Sequence, residues 1–351
     1  MMNNISINGR EIGTSEPVFI IAEMSANHLQ NIDRAKKIIK EAKNAGADAV
    51  KLQTYKPDTL TLNCRTAEFL ATPGSPWEGC NLYELYKQAY TPWEWHEELF
   101  EYAQKIGITC FSSPFDPSAV NLLESLNVPA YKIASFEIFD IPLIRKVAST
   151  GKPIIISTGI AEIDDISLAI KTCHEIGNKQ VILLKCVSEY PTPYEDLNLA
   201  TIPNMRDTFS CLTGLSDHSL GSAIPIAATT LGACVIEKHL TLSRNDGGPD
   251  GTFSMEPSEF AEMTQSIRNV KTAIGNITYN LTDKQKKSRL RGRSLYVCKN
   301  IKAGELFDYS NIKSIRPGYG LHPKYLDEII GKKCKKDLKI GDALHWKYIE
   351  L

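Results

Sequence analysis

Eight short apolar runs in this chain each end in side chains that can do chemistry. The first four close on Ile-Ala-Glu23, Val-Lys51-Leu-Gln53, Phe-Ser112-Ser113 and Tyr-Lys132-Ile-Ala-Ser135. The fifth ends in Ile-Ser157-Thr158, the sixth in Leu-Lys185-Cys-Val-Ser188, the seventh in Leu-Ser216-Asp217-His218 and the eighth in Ile-Glu237-Lys238-His239. A lysine in a strand ordinarily points to solvent. Lys51 and Lys132 are flanked by apolar residues on both sides, as in a strand buried on both faces, where an ammonium is costly unless it has a partner. Ammonium groups beside several hydroxyls suit an anionic ligand bearing phosphate or carboxylate.

His218 and His239 end neighbouring strands. Such a pair is either a hydrogen-bonded structural pair or a meeting point for one metal. In the second case two nitrogens, a carboxylate from Glu23, Asp217 or Asp250, and open water positions suit a catalytic Mn or Mg ion. Glu23 reads either as a general base or proton shuttle, or as a salt-bridge partner of Lys51 or Lys132. The segment Arg244-Asn-Asp-Gly-Gly-Pro-Asp250-Gly is either a plain turn or a loop presenting a carboxylate and backbone amides. The run Thr91-Pro-Trp-Glu-Trp-His96 reads as an N-capped helix start with core tryptophans and stays outside the site.

Something must bring these strand ends together. From residue 18 to about 275 the chain repeats a strand followed by a helical stretch, such as Asp33 to Ala45 with Ala35, Ile38, Ile39 and Ala42 at helical spacing, or Pro92 to Lys105. The strands are Val18-Met24, Ala49-Tyr55, Thr109-Phe115, Ala130-Ser135, Pro153-Thr158, Val181-Val187, Leu212-Asp217 and Val235-Leu240. Eight repeats of this α/β unit favour closure into a (β/α)8 TIM barrel, whose active groups gather at the C-terminal ends of its strands. An open doubly wound sheet is the alternative, but its G-x-G-x-x-G fingerprint is absent after the first strand. The connection from Lys56 to Tyr90, with Pro57, Pro73, Gly74, Pro76 and Gly79, is long enough to cover a barrel mouth. Residues 1–275 are therefore expected to form the catalytic barrel, 276–293 a polar basic linker, and 294–351 a small, turn-rich, mostly non-helical module.

Composition narrows the class. The 351 residues carry 40 basic and 41 acidic side chains, yet from Lys286 onward there are 16 Lys/Arg against 7 Asp/Glu, leaving 24 against 34 before it. The two parts thus differ in charge sign. The basic residues of the tail alternate with turns and apolar residues rather than forming a solvated arm, which argues against nucleic acid. No apolar run approaches the 18 or so residues of a membrane span, and the N-terminal Met-Met-Asn-Asn-Ile-Ser lacks the pattern of a secretory signal. Nine scattered cysteines with no Cys-x-x-Cys pair fit a reduced, cytoplasmic chain.

Taken together, Ile-Ala-Glu23-Met-Ser-Ala-Asn27-His28, Val-Lys51-Leu-Gln53-Thr, Phe-Ser-Ser-Pro-Phe-Asp116, Tyr-Lys132-Ile-Ala-Ser135-Phe-Glu137, Ser-Thr-Gly159, Tyr190-Pro-Thr-Pro, Gly-Leu-Ser216-Asp-His218, Glu-Lys-His239 and Gly-Pro-Asp250 resemble the sialic acid synthase family. The match runs from about residue 16 to the C-terminus. Ala-Glu-Met-Ser-Ala-Asn-His, Ser-Ser-Pro-Phe-Asp, Ala-Ser-Phe-Glu and Arg316-Pro-Gly-Tyr-Gly-Leu-His-Pro-Lys-Tyr-Leu look like the pseudaminate-forming branch, where N-acetylneuraminate synthases carry other residues; N-acetylneuraminate or legionaminate formation, the same chemistry on a different amino sugar, is the alternative. The resemblance implies a TIM barrel with a C-terminal antifreeze-protein-like (SAF) domain. It also implies a metal-dependent condensation of phosphoenolpyruvate with an open-chain amino sugar, here 2,4-diacetamido-2,4,6-trideoxy-L-altrose, with Mn, Mg or Co as the ion. Carried over by motif, Lys51, Ser113, Lys132, Ser135, Ser157, Ser188 and Ser216 would hold phosphoenolpyruvate, and His218 and His239 the metal. Glu23 would handle protons, and Gln53, Glu137, Tyr190 and Asp250 would face the sugar. Arg316 resembles an arginine extended into the partner's site, which implies a homodimer with swapped C-terminal domains.

Three positions depart from the family pattern. Leu29-Gln30 follows His28 where Asn-Gly is common, Ile160 follows Gly159 where Met is usual, and Ser188 stands where sialic acid synthases often place Asn.

Overall fold

The computed structural model describes residues 3–71, 74–75 and 77–350, and the chain divides into two compact units, Met1–Gly275 and Asn276–Leu351. The first unit opens on a feature that the strand count passed over. Ile5–Ile7 (β1) and Arg10–Ile12 (β2) pair antiparallel across Asn8-Gly9, both at positive φ (50° and 77°), where Asn and Gly are the residues that tolerate that conformation. Asn-Gly between alternating isoleucines is a hairpin signal in the sequence itself.

Eight parallel strands follow: Phe19–Glu23 (β3), Ala49–Thr54 (β4), Thr109–Pro114 (β5), Tyr131–Ile133 (β6), Ile154–Ser157 (β7), Val181–Lys185 (β8), Leu212–Asp217 (β9) and Val235–His239 (β10). They close into a barrel in chain order, β10 pairing with β3, so the expected topology is the observed one. Side chains alternate across each strand. One set, including Phe19, Ile21, Ala49, Phe111, Ile155, Ile182, Leu184, Leu212 and Val235, packs inside the barrel with Ile5, Ile7 and Ile12 of the hairpin. Burying each isoleucine there contributes about 1.5–3 kcal/mol. The other set, including Ile20, Ala22, Val50, Leu52, Leu215 and Ile236, packs outward on Ala35, Ile38, Ile39 and Ala42 of the helix Ile32–Asn44 and on Phe260, Met263 and Ile267 of the helix Pro257–Ile274. Asn31 caps the first of these helices by accepting from the Arg34 amide. Gly214 takes an inward position because a Cβ there would collide with Val235 O and sit 2.8 Å from Leu184 Cδ2.

The long connection over the mouth is more ordered than a loop. It contains the helices Pro57–Leu60 and Leu82–Ala89, the second capped by Asn81, whose amide nitrogen also donates to Cys64 O at 2.6 Å. Pro73 and Pro76 lie outside the described residues. The run after it also differs from expectation. Thr91 caps no helix: it is buried and meets His28 Nε2 at 3.4 Å, and the tryptophans are half-buried in a 3-10 turn, Trp93–Trp95, before the helix His96–Ile106.

In the second unit the stretch read as a linker forms an exposed helix, Asp283–Arg289, started by a Thr282–Gln285 capping box. Ser294–Val297 (β11) and Ile312–Ile315 (β12) then pair antiparallel, and short bridges close a core of Leu295, Val297, Phe307, Ile329 and Leu344. Among the described residues no helix is long and apolar enough to cross a membrane, and all nine cysteines are free thiols.

Candidate active site

Extending the inward set beyond its apolar floor places Glu23, Lys51, Gln53, Ser113, Lys132, Ser157, Cys186, Ser216, His218, Glu237 and His239 toward the barrel axis at the C-terminal end. The strand pairs align them: Glu23 lies opposite Lys51 and His239, Gln53 opposite Ser113, and Ser216 opposite Glu237. The alternate residues point the other way. Asp217, one of the carboxylates weighed as a metal ligand, instead receives Lys238 Nζ at 2.5 Å and the Ser219 hydroxyl at 2.7 Å. It is fully engaged outside the barrel, because one residue along a strand reverses the face. Lys185 likewise faces outward and donates to Cys186 O at 3.1 Å.

Charge alternates around the inner wall. Lys51 forms an ion pair with Glu23, lies 3.6 Å from Glu237 Oε1 and donates to Ser113 Oγ at 3.2 Å. Lys132 lies 3.8 Å from the same Glu237 oxygen and donates to Ser157 Oγ at 2.7 Å. Ser216 donates to Glu237 Oε1 at 3.1 Å. Both lysines are almost fully buried, at 3% and 2% exposure. Burial works against every one of these charges, and the neighbours decide the outcome. Burial pushes the Glu23 carboxyl up despite Lys51. It also pushes Glu237 up, but Lys132 and Lys51 outweigh it and hold Glu237 below the usual carboxylate range. Burial depresses Lys132 even with Glu237 beside it, whereas Glu23 and Glu237 overcome burial and raise Lys51. Of the two readings of Glu23, its salt bridge to Lys51 is therefore present.

A second group gathers around Gly159. Its amide donates to Ser135 Oγ at 3.1 Å, and a Cβ there would collide with the Ser188 hydroxyl and lie 2.7 Å from Ser135 Oγ and 3.1 Å from Cys186 Sγ. The buried Ser188 hydroxyl has no hydrogen-bond partner. Glycine thus leaves open a polar cradle lined by two hydroxyls, an amide and a thiol. Burial pushes the Cys186 thiol up, but His218, 4.0 Å away, brings it down to about 7 with help from Ser135 and Lys132.

The imidazoles of His218 and His239 sit with ring centres 5.3 Å apart, and Tyr190 packs on His218 at 4.3 Å and on Phe253 at 5.0 Å. His218 Nδ1 lies 2.9 Å from Val187 O, which fixes the ring and leaves its other nitrogen for a ligand. His239 Nδ1 is buried without a partner. Burial, and then His218, Lys51, Lys238 and Lys132, hold His239 well below the usual histidine range, so it is neutral. A neutral imidazole with an unpaired nitrogen fits a divalent ion. Among the described residues no three His, Cys, Asp or Glu side chains cluster as a metal site, so the chain would supply two nitrogens and leave the other positions open.

The upper rim carries the remaining residues. Asp250 accepts from the Ala26 amide at 3.2 Å, and burial raises its carboxyl. Trp77 of the lid donates to Pro249 O at 3.1 Å and packs on Tyr190 at 5.8 Å. Glu137 follows β6 in the 3-10 turn Ser135–Phe139, with a buried Oε2 that has no partner. Arg316 is exposed in the second unit. Glu237 and Cys186, quoted among the strand ends but given no role there, join the site, as do Phe253 and Trp77. The first two were detectable, since Glu237 shares the inward face of its strand with His239 and Cys186 lies two residues from Ser188.

Comparison with known proteins adds to this geometry. Residues 38–279 match the NeuB family and residues 292–350 the SAF domain. A pseudaminic acid synthase of Campylobacter jejuni is 47% identical over 331 residues, 94% of this chain and 96% of the relative. A pseudaminic acid synthase of Helicobacter pylori is 47% identical over 336 residues, 95% of this chain and 98% of the relative. The crystal structure of an N-acetylneuraminic acid synthetase from Leptospira borgpetersenii matches with TM-score 0.73 and 32% identity, covering 82% of this chain and 95% of the other.

Proposed function

The chain belongs to the NeuB family, and from that membership we propose that it condenses phosphoenolpyruvate with 2,4-diacetamido-2,4,6-trideoxy-L-altrose, forming the nine-carbon 2-keto acid pseudaminate and inorganic phosphate. It is a phosphoenolpyruvate-dependent synthase, a transferase that forms a carbon–carbon bond. The observation that carries the reading is the pair of inward, almost fully buried lysines ringed by hydroxyls, a preformed site for a small, highly charged anion. The identity to pseudaminic acid synthases supports the sugar.

In this reading Lys51, Lys132, Ser113, Ser157 and Ser216 bind phosphoenolpyruvate together with Ser135, Ser188 and the Gly159 amide. Holding it rigidly against the sugar supplies up to about 7–11 kcal/mol of the barrier. His218 and His239 hold a divalent ion, Mn or Mg with Co a further candidate, whose chemistry when bound is to polarise the sugar aldehyde. C3 of phosphoenolpyruvate attacks C1 of the sugar, and the aldehyde oxygen takes up a proton. C2 becomes an oxocarbenium centre, water adds there and loses a proton, and the C2–O bond to phosphate breaks. Lys51 and Lys132 stabilise the departing phosphate charge, Glu23 moves protons, and Gln53, Glu137, Tyr190 and Asp250 orient the sugar. Phosphoenolpyruvate is an intracellular metabolite, which supports a cytoplasmic location.

A panel of phosphoenolpyruvate with the proposed sugar, N-acetylmannosamine or the legionaminate precursor, scored by phosphate release and product mass, tests the reading. Turnover is expected with the first sugar. Preference for either of the others moves the chain to a different branch, and no phosphate from any of them removes the synthase reading.

The homodimer belongs to the same proposal, with Arg316 acting in the partner's site. Arg316→Ala and Lys132→Met, each nearly inactive alone, are expected to regain about a quarter of wild-type activity when unfolded and refolded together, because mixed dimers then contain one intact site. No recovery would place Arg316 outside a shared site.

A further inference from the structure

The bond formed in the proposed reaction is made at C1 of an aldose, and a carbon nucleophile adds there only to the free aldehyde. In water such sugars are almost wholly closed as hemiacetal rings. The ring must open either in solution, where it is slow, or on the protein, and opening needs a base for the proton of the anomeric hydroxyl.

One carboxyl at the mouth is built for proton transfer and not held by an ion pair. Glu137 sits in the 3-10 turn that begins at Ser135 and turns Phe136 and Phe139 outward, to 59% and 51% exposure. Its Oε2 is buried without a hydrogen-bond partner. The charged and titratable groups acting on it are Lys132 and Lys51 from the barrel wall, Asp140 on its own turn, and the phenol of Tyr86 on the lid helix Leu82–Ala89. The other mouth carboxylates each have a charged or hydrogen-bonded partner. Glu23 is paired with Lys51, Glu237 is shared by two lysines and Ser216, and Asp250 accepts from Ala26.

We infer that this protein has a second activity, opening the pyranose form of its own sugar substrate, with Glu137 as the general base. The inference rests on the synthase reading above. The Glu137 carboxylate takes the proton of the anomeric hydroxyl, and the C1–O1 bond becomes the aldehyde carbonyl. The C1–O5 bond breaks with its electron pair going to O5, which takes a proton from water. Glu137 then returns its proton to water, so the step is an isomerisation needing no other reactant. Burial raises this carboxyl to about 7, against the pull of Lys132, which matches a base working near neutrality. Opening should therefore fall as pH drops below 7, where the carboxyl protonates, and level off above it.

The test is phosphate release at fixed sugar and rising enzyme. An enzyme that only captures free aldehyde reaches a plateau set by spontaneous ring opening. The wild type is expected to pass that flux by about 100-fold, the scale of general base catalysis, and to stay linear in enzyme. E137Q, slower per molecule, is expected to plateau at the spontaneous flux, and 2-hydroxypyridine, a small-molecule mutarotation catalyst, should raise that plateau. A residue that merely positioned the sugar would not respond to it. A wild-type plateau with product formed overturns this inference alone, and E137Q staying linear beyond the spontaneous flux overturns the role of Glu137. If E137Q is inert, the wild-type curve and its pH profile decide. No phosphate from the wild type overturns the synthase reading instead.

Discussion

Lys132→Met is expected to lower kcat/KM for phosphoenolpyruvate by about 10³-fold, while Lys238→Met, at an equally buried lysine of the barrel, leaves it nearly intact in the folded fraction. The two differ in exposure by one percentage point, 2% against 1%, and each has a carboxylate partner. They differ in the face of the strand they occupy. Lys132 points to the axis and donates to Ser157. Lys238 points away, pairs with Asp217 at 2.5 Å and also donates to Ser219 O. Losing a preorganised charge inside a water-excluded site costs two to three orders of magnitude in rate, and two ligand charges depend on Lys132 and Lys51. Stability should follow the opposite order. Removing one partner of a buried pair costs about 3–5 kcal/mol. Lys132→Met sits at the low end, because Glu237 keeps Lys51 at 3.6 Å and Ser216, whereas Lys238→Met removes the ion-pair partner of the fully buried Asp217. Steady-state kinetics with urea unfolding of both variants checks this. Equal kinetic losses after correction for folded protein would show that burial, and not the inward face, governs the effect.

The second large effect concerns the histidines. His218→Ala with His239→Ala is expected to abolish tight Mn(II) uptake, measured by loss of the free-ion electron paramagnetic resonance signal, and to cut phosphate release by about 10³-fold or more. Adding EDTA to the wild type should give the same inactivation, reversed by excess metal. The physical ground is that His239 is kept neutral by burial and by the positive groups around it, with an unpaired nitrogen. Truncating both rings opens space beside Tyr190 and Phe253, so the double variant should also lose roughly 2–4 kcal/mol of stability. Unchanged Mn(II) uptake, or phosphate release indifferent to EDTA, would return the pair to a structural role.

Much of this molecule was legible before any coordinates. Alternating apolar strands and amphipathic helices specify a parallel sheet covered by helices, since each strand is too apolar for a face in water and each helix has one apolar stripe, and the count of eight favours closure into a barrel. The strand boundaries agree within one or two residues, and the polar strand ends gather at one end of the barrel. The hairpin Ile5–Ile12 was also written in the sequence, through Asn8-Gly9 between alternating isoleucines, but a search for long repeats steps over a three-residue strand.

What the sequence determined by itself was the kind of chemistry available: lysines, hydroxyls and two histidines at strand ends, side chains suited to an anion and a metal. Only the tertiary structure decided which of them share a space. Asp217 and Glu237 look alike as strand-end carboxylates, yet one pairs with Lys238 outside the barrel and the other lies beside Lys51 and Lys132 within it, because closure of the barrel fixes which alternate residue is inside. Ser135, Gly159 and the pair Cys186 and Ser188 come from three stretches of the chain and form one cradle only where neighbouring strands end together. Types and local spacing are properties of a chain, whereas burial, pairing and proton affinity depend on neighbours that only the closed fold supplies.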